Sequence, residues 1–164
     1  MLRLFFVFFA SLGLSFFLLW GTRGEASSVF SGANTVLYVL GALFGAMSFA
    51  FFNYVEGVMK DVPKKLKSQR PEKYSLVIST LTDLKREVVL NVVLVVLLLM
   101  ISFVVAAIGE MGLMQRLGST SYWVWSALSV RGACFVSILV VMFVQLSGFV
   151  IANNLRAEIS MHGE

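Results

Sequence analysis

The sequence predicts an all-α polytopic membrane protein, a four-transmembrane-helix bundle with a cytoplasmic helical hairpin extension between helices 2 and 3. Three observations carry this prediction. Apolar residues fill 59% of the 164 positions and charged residues only 13%, which leaves too little polar material to coat a soluble globule. Four apolar stretches approach or exceed the roughly 17–20 residues that a bilayer core demands. The basic residues are also unevenly spread: Lys60, Lys64, Lys65, Lys67, Arg70, Lys73, Lys85 and Arg86 all fall between the second stretch and the third, an asymmetry that membrane topology produces.

The first stretch, residues 4–20, carries no charge. Its basic start at Arg3 and the small residues of Gly24-Glu25-Ala26 also suit a signal peptide, with residues 1–26 cleaved. Its apolar core is longer than a signal core usually is, so retention as a span is the preferred reading. The second stretch, 36–52, is near the lower length limit, and flanking polar residues are expected to enter the interface. The third, 88–108, is rich in Val and Leu, and the fourth covers 132–152. Helix is the spanning form expected, because every backbone amide must be satisfied without water and the alternation of a barrel strand is missing. The outer interfacial segment, 109–131, holds Tyr122, Trp123 and Trp125, and Trp20 closes the first span. These aromatic residues favour the headgroup level, so 112–129 is expected to be a short helix or loop lying on the outer leaflet.

The cytoplasmic helical loop, 53–87, reads as structured. Pro63 and Pro71 punctuate it, and Pro71 suits a first helical position. After it, Tyr74, Val77, Ile78, Leu81, Leu84 and Val88 recur at helical spacing, with Glu72, Lys73, Ser79, Thr80, Asp83 and Arg86 on the other face. One helix is therefore predicted over 71–108, on the order of 55 Å long. The stripe Tyr74, Val77, Ile78, Leu81 and Leu84 needs an apolar neighbour. An extension of the second helix through Tyr54, Val55, Val58 and Met59 can supply one, and so can another protomer or a partner. The stripe is thus the expected cytoplasmic interaction face. Glu56, Asp61 and the other acids here read as a solvated, salt-bridged face. Lys60, Lys64, Lys65 and Lys67 are expected to contact lipid headgroups.

The chain reads as a single membrane domain, 1–164. The basic central loop places both termini in the cytoplasm, and an inner, bacterial membrane is the expected location. The charge of +4 does not point to nucleic acid, because the basic residues lie in a loop between spans. With one cysteine, Cys134, and one histidine, His162, there is no metal-ligand spacing, and no phosphate loop or nucleophile elbow is found. The expectation is a non-enzyme with no cofactor and no metal site.

The remaining candidates are intramembrane. Gly41 and Gly45 form a GxxxG pair, with Ala42, Ala46 and Ala50 on a neighbouring small face. Small residues let helix backbones approach closely, either in an oligomer or, as the preferred reading, inside the protein's own bundle. Arg131 opens the fourth span and is expected to snorkel to the headgroups, with Glu110 within reach as an ion-pair partner. Asn91 and Gln145 are expected to hydrogen-bond across helices. With Ser102, Ser137 and Ser147 they are thin material for a polar path.

The layout, with Glu72-Lys73-Tyr74-Ser75 leading into the third span and Phe143-Val144-Gln145-Leu146 leaving the fourth before the tail Asn154-Leu155-Arg156-Ala157-Glu158, resembles RexB-type phage-exclusion membrane proteins. That resemblance implies four inner-membrane spans and a part in anti-phage defence through collapse of the membrane potential. Two functions are therefore expected. One is an oligomerising, membrane-perturbing or channel-like effector. The alternative is a non-catalytic immunity, exclusion or assembly-partner protein that binds another membrane protein. The partners expected are the lipid bilayer and either itself or another membrane protein.

Overall fold

The computed structural model describes residues 2–23, 25, 27, 33–62, 71–110 and 120–161. Among the described residues the long elements are the helices α1 (Leu2–Gly21), α2 (Ala33–Asp61), α3 (Pro71–Glu110) and α4 (Thr120–Met161). No strand occurs among the described residues. Three helices are long and apolar enough to cross a membrane, over Thr35–Asp61, Pro71–Ile108 and Tyr122–Ala157. The fourth, α1, is 20 residues long and apolar over Phe6–Gly21. This is the make-up of an integral membrane protein.

Helix boundaries follow local chemistry. Pro71 opens α3, where its missing amide costs nothing, and Glu72 in the first turn suits the helix dipole. Lys60 lies in the last turn of α2, where a cation is favoured. After α1, Thr22 and Arg23 donate backbone bonds to the carbonyls of Leu18 and Trp20. Arg23 takes a left-handed φ of 51°, the conformation that often terminates a helix.

Helix α4 corrects the reading of the outer segment. No loop or separate helix precedes the fourth span from Thr120 onward; Tyr122, Trp123 and Trp125 are already part of one 42-residue helix. The stretch 120–131 contains no proline and no glycine, and the single Gly132 costs only about 1 kcal/mol in a helix interior. The hydroxyls of Ser126 and Ser129 bond the carbonyls of Tyr122 and Trp125 four residues back, so they do not compete for a turn. Residues 111–119 lie outside the described chain.

The chain packs as two compact units, Met1–Ala42 with Leu94–Val141 and Leu43–Val93 with Met142–Glu164. The first buries Leu19, Leu37, Val95, Leu98, Leu128, Ala133, Cys134, Ile138 and Val141, with Ser15, Ser102, Ser129 and Ser137 among them. Gly41 belongs to this packing: a Cβ there would sit 2.7 Å from Cδ1 of Leu99.

The second unit is built on a cluster of Phe51, Val55, Val58, Val62, Leu81, Leu84, Val88 and Ala152. Tyr74, Val77, Ile78, Tyr54, Met59 and Leu155 pack around it, partly buried. The extended second helix therefore covers the amphipathic stripe of α3. Leu81, fully buried, faces the chain's own interior and is unavailable as an interaction surface.

Buried positions recur in a regular order. On α3 they are Leu81, Leu84, Val88, Asn91, Val95, Leu98 and Ser102, at alternating spacings of three and four. On α2 Phe44, Ser48, Phe51, Val55 and Val58 follow the same rule. This spacing is that of a knobs-into-holes seam.

Candidate functional site

Two polar centres interrupt the apolar seams. In the second unit, Gln145 of α4 is 3% exposed and its Nε2 donates to Oγ of Ser48 on α2 at 2.8 Å. Asn91 of α3 is also buried. Ser48, Asn91 and Gln145 all occupy seam positions, where a helical period of 3.5 turns every third or fourth side chain inward. The Oε1 of Gln145 is buried and has no hydrogen-bond partner. A recess of about 10 Å³ is lined by Gln145, Asn91 and Glu87 together with Phe51, Leu84, Val88, Val144 and Gly148. A larger groove of about 380 Å³ runs along Met47, Ala50, Phe51, Tyr54, Gln145, Leu146 and Phe149. Asn91 and Gln145 thus line one recess.

In the first unit, Arg131 is the second polar centre. Its Nε and Nη2 are buried without a hydrogen-bond partner. The residue as a whole is partly exposed. The side chain of Glu110, its expected partner, lies outside the described residues. Ser137 is also buried with an unbonded hydroxyl. It lines an apolar groove of about 210 Å³ with Phe8, Phe9, Leu94, Leu97, Leu98 and Ile101.

The small-residue positions of α2 divide. Gly41 is occupied by Leu99, whereas a Cβ at Gly45 would meet nothing within 4 Å. Ala42, Gly45, Ala46 and Ala50 are exposed. Packing inside the bundle therefore accounts for Gly41 and leaves Gly45 open.

The charged face is arranged as the sequence suggests where it is described. Glu56 accepts Lys60 at 3.1 Å and Lys85 at 3.4 Å, and Nζ of Lys85 lies 4.4 Å from the Phe52 ring centre. Arg156 pairs with Asp61 at 3.6 Å and stands 5.6 Å from the Tyr54 ring centre. The Tyr54 hydroxyl donates to Oδ1 of Asn153 at 3.1 Å. Lys60 is well exposed, whereas Lys64, Lys65 and Lys67 lie outside the described residues. Exposed pairs like these add little to stability, so they orient the surface more than they hold it.

Among the described residues no cluster of three or more His, Cys, Asp or Glu side chains is placed to hold a metal. Compared with family models, with curated proteins and with solved structures, the chain matches none.

Proposed function

We propose that this protein is a non-catalytic, four-span membrane protein that self-associates through α2 and perturbs the membrane as a channel-like effector, in the manner that the resemblance to RexB-type exclusion proteins implies. One observation carries the reading. Gly45, Ala46 and Ala50 form an exposed face of small residues with nothing packed on Gly45. In lipid there is little hydrophobic gain between helices, and close backbone approach over small residues drives association. A face of this kind is a docking strip for another helix, and the groove along Met47, Ala50, Leu146 and Phe149 offers room for side chains of the arriving helix. The basic loop supports an orientation with both termini in the cytoplasm of an inner membrane.

The test uses an introduced cysteine. Phe49 is 70% exposed on the same face of α2, while the native Cys134 is fully buried. Oxidation of Phe49→Cys in membranes should give a disulfide-linked dimer. Adding Gly45→Ile should abolish that dimer, because a branched side chain blocks backbone approach. Expression of the wild type should dissipate the membrane potential of the host, and the Gly45→Ile variant should not. A monomeric chain, harmless on expression and recovered with another membrane protein, would replace this reading by the immunity or assembly-partner one.

A further inference from the structure

We infer that the groove between α2 and α4 binds one anionic phospholipid, with an acyl chain along its apolar walls and the phosphate on Arg156. The inference does not rest on helix association and would stand if that reading failed. It starts from two stripes of side chains. On α4, Leu146, Phe149, Asn153 and Arg156 follow one another at spacings of three and four, and all four are exposed. They therefore share one face of the helix. On α2, Met47, Ala50 and Tyr54 keep the same spacing. Met47, Ala50, Tyr54, Leu146 and Phe149 line the groove of about 380 Å³; Gln145, the polar exception in its wall, is 3% exposed. Contacts tie the two stripes together. The Phe149 and Tyr54 ring centres are 5.1 Å apart, and the Tyr54 hydroxyl donates to Oδ1 of Asn153. The Arg156 guanidinium stands 5.6 Å from the Tyr54 ring centre, within the range of a cation–π contact. The cation is thus held at the Tyr54 end of the groove.

The order of chemistry along the stripes says what fits. Leu146 and Phe149 belong to the apolar stretch 132–152, and Asn153 is the first residue past it. On α2 the apolar stretch 36–52 likewise ends just before Tyr54. Apolar wall, then hydroxyl and amide, then cation is the order in which a phospholipid presents chain, ester and phosphate. Length agrees. From Leu146 to Arg156 is about 15 Å along a helix, half of a hydrocarbon core of about 30 Å and so one leaflet. Charge selects the headgroup. Among the described residues the one ion pair of Arg156 runs from Nη2 to Asp61 at 3.6 Å, with both side chains more than half exposed. Most of its planar fork of donors is left over, and that fork matches a phosphate two bonds at a time. The ion pairs at this end join three cations, Lys60, Lys85 and Arg156, to two carboxylates, Glu56 and Asp61. A positive charge therefore remains for an anion, and basic sites between helices at the membrane border hold anionic headgroups. Lipid and an arriving helix exclude each other from the groove.

The test is native mass spectrometry of the full-length protein released from a neutral detergent, read on the monomer peak so that self-association does not enter. Dioleoyl phosphatidylglycerol and dioleoyl phosphatidylcholine, offered in equal amounts, carry the same chains and differ in net charge. The wild type should retain one phosphatidylglycerol per chain in roughly fivefold preference or more, the effect of one basic residue at an anionic surface. Arg156→Gln should bring the two lipids level, with an unchanged circular dichroism spectrum, because Arg156 is exposed. Arg86→Gln removes an equal charge from an exposed site on α3 and should leave the preference as it is. Ala50→Leu, at an exposed position in the groove wall, should lower retention of both lipids by filling the groove. Equal retention of the two lipids by the wild type, a preference that survives Arg156→Gln, or an equal loss in Arg86→Gln would overturn the site. Loss of the Phe49→Cys dimer would count against helix association and leave this result unchanged.

Discussion

Leu81 offers the sharpest measurement of what holds the second unit together. Its side chain is 0% exposed and belongs to the same cluster as Val55 at 0% and Val58 at 2%. Truncation of a fully buried leucine costs about 2–5 kcal/mol, part of it lost transfer energy and part the cavity left behind. Since α2 and α3 both line the cluster, it has limited freedom to collapse, and Leu81→Ala should fall near 3 kcal/mol. Leu81→Asp removes the same apolar volume and places a carboxylate in the cluster of Val55, Val58 and Leu84. Its cost should exceed that of the alanine variant by at least about 1 kcal/mol. Asp83→Leu, an exposed position two residues on, should change stability by no more than about 0.5 kcal/mol. The assay is reversible unfolding in mixed micelles, followed by circular dichroism, with membrane extraction confirming that all three variants insert. Insertion should survive, because it depends on the apolar spans and the basic loop. If Leu81→Asp and Asp83→Leu unfold together with the wild type, the packing of α3 on α2 contributes nothing and the account of this unit is wrong.

Two further outcomes are expected. A double-mutant cycle over Ser48→Ala and Gln145→Leu should give a coupling of roughly 0.6–1.7 kcal/mol, the range found for hydrogen bonds between membrane helices; a value indistinguishable from zero would mean that the 2.8 Å contact stabilises nothing. For topology, an impermeant thiol reagent applied from outside should label Ser119→Cys and spare Ser68→Cys, with little background from the buried Cys134. The reverse pattern would invert the orientation drawn from the basic loop.

Composition and span length were enough to read the all-helical membrane architecture, because those features act through solvent and need no partner. The start of α3 at Pro71 and the mutual cover of α2 and α3 were readable for a related reason. Leu81, Leu84 and Val88 form an amphipathic stripe outside the most apolar stretch, and periodicity stands out there. Within the spans the same periodicity is invisible: Val93 and Val96 face outward while Val95 is buried, and all three are valine. Lipid rewards apolar side chains as much as a core does, so hydrophobicity cannot say which side is inside. That is why the pairing of Gln145 with Ser48 could be expected only as generic cross-helix bonding, with neither the partner nor the recess beside Glu87 foreseen. Gly41 and Gly45 show the same limit. They are identical in sequence terms, yet Leu99 fills the space over one and nothing stands over the other.

The polar seam residues answer a question that the apolar ones leave open. A seam of valines and leucines packs nearly as well after a slide of one heptad, since every knob finds an equivalent hole. Phe44, Phe51, Val55 and Val58 on α2 therefore do not by themselves specify one alignment. Ser48 and Gln145 do, because a slide would bury both groups without partners, and each unsatisfied group costs about 1–3 kcal/mol. One modest hydrogen bond thereby selects register by penalising the alternatives more than by strengthening the native state. Gln145 and Asn91 differ in this respect. Gln145 has its partner in Ser48 and still keeps a spare acceptor, which register alone does not require. A seam whose only need was alignment would be satisfied by Ser48 and one amide. The second amide, Asn91, is buried on α3 and is surplus to that alignment.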